Sequence, residues 1–161
     1  AYDFAYGANQ LTPIWPNAYL GGRIAGYNMA GIPAEYPGGT AMNSLNYFGL
    51  DICAAGMATT VDDGYEVLSR QSNGIYRKIV LKDDRLVGMV FVRDIEKSGI
   101  IFGLMKDRVK VSSFKQTLLA DDFGLVSLPR ELWQERLETP SSGLVRQPAM
   151  PPEVMEDFAG E

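Results

Sequence analysis

The chain has 161 residues, 46% hydrophobic and 22% charged, which is typical of a globular protein that buries a core without disulfides. Its 15 basic and 20 acidic residues give a net charge of −5, which excludes a generally basic surface for nucleic acid or anionic membranes. Histidine is absent, so the most common general base and metal ligand is missing, and we expect neither a metal site nor a catalytic residue.

The first predicted helix follows an aromatic, glycine-bearing stretch, residues 1–12, which has no clear period and is predicted to be a loop. In "PIWPNAYLGGRIAGYNMAG", residues 13–31, Pro16 suits the first turn of a helix because its missing N–H is no loss there. Gly31 followed by Pro33 is a stop signal. The pattern therefore predicts one helix between these signals.

One side of this helix is nearly smooth. Ala18, Gly22, Ala25, Gly26 and Met29 share a face at three- and four-residue spacing. Each interior glycine costs a helix about 0.5–1 kcal/mol against alanine, so the sequence gains only if another backbone comes very close. We expect a sheet or a second helix against this face. The alternative is a poorly formed, partly frayed segment.

Strand-forming residues dominate after a Pro/Gly linker at 32–43. "SLNYFGLDICAAGM" and "YEVLSRQ" are rich in β-branched, aromatic and small residues. "IYRKIVLKDDRLVGMVFVRD" predicts a hairpin, because two β-rich runs flank an acidic turn at Lys82–Arg85. Apolar residues occupy both alternating sets of 86–93, which predicts a strand covered on both faces for much of its length.

Three more helices are predicted toward the carboxyl end. Asp94 can cap a helix over 95–107, and a second helix starts at Ser112 or Ser113. The third spans 128–138 with Pro129 in its first turn.

Few residues are candidates for chemistry. Cys53, the single cysteine, has small apolar neighbours and no adjacent base, so we interpret it as a buried structural thiol made in a reducing compartment, the cytoplasm. The acidic pairs at 62–63, 83–84 and 121–122 are predicted to be solvated turns. Trp15 stands at the amino end of the first helix, where unpaired N–H groups favour an electron-rich ligand. It is equally consistent with a core tryptophan that staples the helix entry. No apolar run reaches the roughly 18 residues of a membrane span, and we expect no membrane partner.

The order of these motifs resembles a known family. "IWPNAYLGGRIAGYNMAG", then "LDICAAGM", "GYEVL" and the hairpin "IVLKDDRLVGMVFVRD", resemble the carboxy-terminal part of the flavin-dependent pyridine nucleotide–disulfide oxidoreductases. The resemblance is greatest to the branch of NADH oxidase, rubredoxin reductase and coenzyme A disulfide reductase, and it covers residues 11–125. It implies an α+β fold with a mixed, mainly antiparallel sheet and helices on one side. It also implies a remnant of an FAD-binding domain at 1–43, a dimerisation domain at 44–138 and a Pro-rich acidic tail at 139–161.

The resemblance implies a function in a longer enzyme. Ile14, Trp15, Pro16 and Asn17 would lie near N1 and O2 of the flavin, where the helix dipole stabilises the charge of the reduced ring. FAD and NAD(P)H would bind to amino-terminal domains that are missing here, and the chain would contribute homodimer contacts without binding a cofactor or being catalytic alone. No G-x-G-x-x-G is present, and Cys53 does not match the family's redox cysteine.

Two alternatives remain from the residues themselves. The chain could be a self-contained α+β module that binds a small ligand or a protein. It could also be an independent enzyme, although no motif marks an active site.

Overall fold

The computed structural model describes residues 1–60 and 62–138. Within these described residues, seven strands and three helices follow one another: β1 Tyr2–Asp3, β2 Ala8–Asn9, α1 Trp15–Met29, β3 Met42–Tyr47, β4 Leu50–Gly56, β5 Glu66–Ser72, β6 Ile75–Lys82, β7 Arg85–Val92, α2 Ser98–Lys106 and α3 Arg130–Glu138. Short 3₁₀ turns cover Thr117–Leu119 and Leu125–Ser127. The predicted tail at 139–161 lies outside the described residues. Among the described helices, none has the length and apolarity to cross a bilayer.

The main sheet has five strands in the order β3-β4-β7-β6-β5, and every pair of neighbours is antiparallel. Two-residue turns join its hairpins, with positive φ at both residues: Phe48-Gly49, Asn73-Gly74 and Asp83-Asp84. Such turns match the right-handed twist of the strands they connect. The predicted hairpin at Lys82–Arg85 is confirmed, and so is the α+β fold. The five-stranded sheet contains no parallel pair.

The hydrophobic core lies on one face of this sheet. Cys53, Met89 and Phe91 are at most 1% exposed, and α2 contributes Ile101 and Leu104 at 0%. The burial of Cys53 confirms its interpretation as a structural thiol. The core and α2 lie on the same side, as expected for helices that cover one face.

The opposite face of the sheet is apolar but incompletely covered. Its residues alternate with the core residues along each strand and are half-buried or exposed. We call its exposed and half-buried apolar residues the open sheet face: Leu45, Tyr47, Ile52, Ala54, Val67, Tyr76, Val90 and Val92. Full burial of both alternating sets in β7 is restricted to Leu86–Met89, so the predicted two-sided cover holds only for the first half of the strand.

Two of the predicted carboxy-terminal helices differ in the structure. α2 begins at Ser98 and is not capped by Asp94, whose carboxylate binds Arg77 instead. The segment after 111 forms turns and a 3₁₀ turn rather than the predicted helix, because its N–H groups bond to carbonyls three residues back, as Phe114 does to Val111 at 3.0 Å. The third helix is confirmed at α3, which starts just after Pro129.

A buried ion-pair cluster fixes this carboxy-terminal segment to the sheet. Arg77, 3% exposed on β6, binds Asp94, the Asp121 carboxylate at 2.8 Å and the Leu119 carbonyl at 3.3 Å. The hydrogen bond from Arg77 lowers the pKa of Asp121 below its ordinary value, and the nearby charge of Arg70 lowers it further. Residues 121 and 122 lie in an exposed turn, as predicted, and Asp121 is in addition paired with Arg77 and Arg70.

The amino-terminal segment is not a loop. β1 and β2 form a small antiparallel hairpin, with Gly7 at φ +66° in the connecting turn. The Asp3 carboxylate accepts backbone N–H groups of Ala5 and Tyr6 at 2.9 and 3.3 Å, which closes the turn. Local side-chain bonding of this type leaves no hydrophobic period in the sequence, so the loop prediction was wrong.

Candidate functional site

The structure places α1 largely at the surface. The helix is regular from Trp15 to Met29, which contradicts the alternative of a poorly formed segment, and Ile24 is its one buried residue. A Cβ added at Gly21, Gly22 or Gly26 would meet no atom within 4 Å. The close backbone neighbour that the smooth face predicts is therefore absent from the described part of this chain.

Two asparagines attach α1 to the segment that follows it. We call residues 32–40 the strap. The Asn17 side chain donates to the Thr40 carbonyl at 3.2 Å. Near the other end, Asn28 donates to the Ala34 carbonyl at 2.8 Å and accepts from the Ala34 N–H at 3.1 Å. Polar contacts at both ends fix the helix and leave its glycine-rich middle uncovered.

An open groove of about 550 Å³ lies at the amino end of α1. Its walls are Ile14, Trp15 and Pro16 on one side and two strand segments, 41–43 and 54–56, on the other. Ile14 is the N-cap but makes no side-chain cap, and the first turn contains no acidic residue. The first N–H groups of a helix have no intrahelical partner, so this end offers donors and a positive dipole to an electron-rich group. We call this space the amino-end groove.

Trp15 is 77% exposed, so it is not a core tryptophan that staples the helix entry. Its ring stacks on Tyr19 with centroids 5.5 Å apart and planes inclined by 18°. The Arg23 guanidinium lies 5.9 Å from the Tyr19 ring centroid. These contacts hold the indole at the edge of the amino-end groove, where it can contact a ligand.

A second groove, of about 410 Å³, runs along the small-residue side of α1. Asn17, Ala18, Gly21, Ile24 and Ala25 form its floor. Its walls come from residue 1, residues 10–13 and residue 36. Three of the four predicted site residues thus meet in the amino-end groove, whereas Asn17 lies in this small-residue groove.

Sequence reasoning missed a buried polar cluster behind the helix. Asp3 is 0% exposed and Thr40 is 2% exposed, and the Thr40 hydroxyl donates to the Asp3 carboxylate at 3.1 Å. Burial, together with the charge of Asp3, raises the pKa of Tyr36 above its usual value. The spacing of Asp3 and Gly7 suits a tight turn and was the available signal for the hairpin, but no local signal links Asp3 to Thr40.

The sheet and its covering helix are similar to a known domain. Residues 42–109, from β3 through α2, match the family model of the rubredoxin NAD+ reductase C-terminal domain. This segment is therefore similar to that domain. The match confirms the resemblance of the chain to the carboxy-terminal part of an FAD-dependent pyridine nucleotide–disulfide oxidoreductase.

Two particular proteins are similar to the chain. The NADH-dependent phenylglyoxylate dehydrogenase subunit epsilon of Aromatoleum evansii is 29% identical over 126 residues, which is 75% of this chain and 30% of that protein. The solved complex of putidaredoxin reductase covalently linked to putidaredoxin matches 68% of this chain and 26% of the solved chain, with a TM-score of 0.51 and 18% identity. That structural likeness supports the fold. The chain thus spans less than a third of the length of each of these proteins.

Proposed function

We propose that this chain is the carboxy-terminal part of an FAD-dependent NAD(P)H oxidoreductase. In this proposal the amino end of α1 faces the flavin, and residues 44–138 form a dimerisation domain. The chain supplies no catalytic residue itself and binds no cofactor on its own. The observation that carries the proposal is the amino-end groove, since an uncapped helix end opens there onto a space bounded by the matched domain.

The residues around this groove suit the pyrimidine edge of a flavin. The N–H groups of the uncapped first turn can bind carbonyl oxygen, and no carboxylate in that turn competes for them. Ile14, Trp15 and Pro16 present apolar surface for a flat ring. When FAD is bound it supplies the electron transfer, and the helix dipole stabilises the negative charge that reduction creates near N1.

The small-residue groove supports a neighbour from the missing part of the protein. Its floor of alanine and glycine would allow another backbone to approach α1 closely, and residue 1 itself borders the groove. A polypeptide that precedes Ala1 would therefore start beside this surface. Since the chain covers 30% of its curated relative, the longer protein would have ample length to supply an FAD domain there.

The open sheet face supports the homodimer. Leu45 is 41% exposed and continues the half-buried row of Ile52 and Val92 across the sheet, and Tyr47, two residues further along β3, is 60% exposed. A contiguous apolar face of this type is typical of a protein interface. We propose that a second copy of the longer protein packs on it through the same face, as a twofold dimer requires.

The flavin half of the proposal is tested in the full-length polypeptide. We expect about one FAD per chain in the purified protein, whereas the 161-residue chain alone should be colourless. Ile14→Asp would place a carboxylate at the N-cap, where it occupies the free N–H groups and repels reduced flavin. FAD occupancy or the flavin reduction potential should therefore fall.

The matched control is Val126→Asp, which adds the same charge at a residue that is 86% exposed and lines neither groove. Val126→Asp should leave FAD occupancy and the potential unchanged. Full-length protein without flavin, or Ile14→Asp protein with the flavin content and potential of the wild type, would contradict this half of the proposal.

The dimer half has its own test. Leu45→Asp should weaken self-association at least tenfold in sedimentation equilibrium, because a charge in an apolar interface costs more than about 1.4 kcal/mol. Val126→Asp should not change the association. A wild-type protein that remains monomeric at all concentrations would refute the dimer without affecting the flavin half.

A further inference from the structure

We infer that Asp3 is a positioning residue: through Thr40 and Asn17 it fixes the first turn of α1. This inference depends on the proposed function only where it predicts an effect on the flavin. The coupling between Asp3 and the helix end is a property of the 161-residue chain, and it can be tested there.

The first link is the buried carboxylate. Asp3 is fully buried, and each of its oxygens has a defined partner: Oδ1 accepts the backbone N–H groups of Ala5 and Tyr6, and Oδ2 accepts the Thr40 hydroxyl. These three donors are all uncharged. A buried carboxylate satisfied by neutral donors needs all of them, because each lost hydrogen bond leaves part of its charge without a partner.

The second link is the contact of β1 with the strap. The Gly39 N–H donates to the Tyr2 carbonyl at 3.0 Å, and the Phe4 N–H donates to the Gly39 carbonyl at 3.0 Å. Asp3 and Gly39 are therefore paired in parallel, which holds Thr40 beside the carboxylate. The strap cannot shift along β1 without breaking these hydrogen bonds together.

The third link connects the strap to α1. The Asn17 amide donates to the Thr40 carbonyl at 3.2 Å. A Cβ added at Gly39 would lie 2.5 Å from the Asn17 Oδ1 and 2.7 Å from the Tyr36 hydroxyl, so glycine gives the amide room to lie there. The single side chain of Asn17 thus joins the helix to a residue that Asp3 fixes.

The amino end of α1 has little else to hold it. Trp15, Pro16 and Ala18 are exposed, and the one buried residue of the helix, Ile24, lies two turns further along. Without an apolar anchor in the first turn, its direction depends on the link from Asn17 to Thr40. Asp3 is 14 residues from Asn17 in the chain, yet it controls where the uncapped N–H groups point.

Hydrogen exchange in the 161-residue chain tests the coupling. Thr40→Val removes the hydroxyl but keeps the carbonyl and the shape of the side chain, and Asn17→Ala removes the final link. Both variants should accelerate exchange at the amides of residues 18–20 by about fivefold, as expected for one lost hydrogen bond. The amides of residues 27–29 and of the β6-β7 hairpin should keep their wild-type rates.

Three further variants keep the test decisive. Thr40→Ser retains the hydroxyl and should restore the wild-type rates, and Asp63→Asn, an exposed carboxylate, is the control. Gly39→Ala pushes the Asn17 amide aside while the Asp3 carboxylate and the Thr40 hydroxyl are retained, so it should reproduce the Asn17→Ala rates even if Thr40→Val fails to fold. Unchanged rates at 18–20 in these variants, or an equal acceleration throughout β6-β7, would overturn the inference.

The full-length flavoprotein gives a second, separate readout. Thr40→Val should make the flavin midpoint potential more negative, because a displaced dipole stabilises reduced flavin less, and Thr40→Ser should not. If Thr40→Val changed neither the potential nor the exchange rates, the inference would be refuted, but the proposed function would not. A full-length protein that lacks flavin would refute the proposed function, while the exchange rates would still decide the coupling.

Discussion

Replacing the glycines of α1 with alanine should stabilise the helix in the isolated chain. A Cβ at Gly22 or Gly26 would meet no atom within 4 Å, so alanine would lose nothing in packing. Alanine is favoured over glycine in a helix interior by about 0.5–1 kcal/mol, which gives about 1–2 kcal/mol for the pair. Gly31→Ala is the matched control with the opposite sign, because its φ of +77° favours glycine.

The assay is hydrogen exchange at the amides of residues 18–29 in the 161-residue chain, since α1 opens without the core. Gly22→Ala/Gly26→Ala should slow exchange about five- to thirtyfold, which is the factor that 1–2 kcal/mol produces. Gly31→Ala should accelerate it. In the full-length protein the double variant should instead reduce FAD occupancy, because the added methyl groups would meet the neighbouring domain. Faster exchange of the double variant in the isolated chain would refute the reasoning, since it would mean that the small face is already covered.

Three further predictions concern the domain itself. Gly88→Ala should lower the free energy of unfolding in urea by about 2–4 kcal/mol, because its Cβ would lie 1.9 Å from the Met57 carbonyl oxygen, which is backbone and cannot move aside cheaply. Arg77→Met should lower the free energy of unfolding by about 2–3 kcal/mol. This is less than the loss expected on breaking a fully buried ion pair, because the carboxylates that Arg77 binds reach solvent. The lowered pKa of Asp121 means that its contribution is present above its ordinary pKa of 3.8 and is lost as pH falls through the lower folded value, so stability measured from pH 6 to pH 2 should decline less steeply in Arg77→Met. Cys53 is 1% exposed, so iodoacetamide should label it only when the chain unfolds, and labelling at the rate of a free thiol would contradict its burial.

The helix ends and the hairpin turn could be predicted from the sequence, because neighbouring residues determine them. Pro16 and Gly31 mark the two ends of α1, because proline suits the first turn of a helix and glycine suits the left-handed conformation that ends one. The turn at Asp83-Asp84 was predicted because strand-forming runs flank it. In contrast, the hairpin at residues 1–12 was missed because its turn is closed by the Asp3 side chain, and the contact of Asp3 with Thr40, 37 positions away, has no local signal in the sequence.

The candidate site likewise contains residues that the sequence predicted and residues that it did not. Trp15 was selected because it stands at a predicted helix start, and Ile14 and Pro16 were added by the resemblance to the flavin-dependent family. The opposite wall of the amino-end groove, residues 41–43 and 54–56, was not found, because it arises from the pairing of β3 with β4. Asp94 was assigned to a helix cap because its position suited one, but the buried Arg77 binds it more strongly.

The most direct test compares hydrogen exchange at residues 15–29 in the 161-residue chain and in the full-length flavin-loaded protein. The proposal that α1 lies between the flavin and a neighbouring domain predicts at least about hundredfold slower exchange in the longer protein, because the helix then opens only with the domain around it. In the isolated chain the helix should exchange much faster than the β6-β7 hairpin. Equal protection of α1 and the hairpin in the isolated chain, with no further slowing in the longer protein, would contradict the proposal and favour a self-contained binding module.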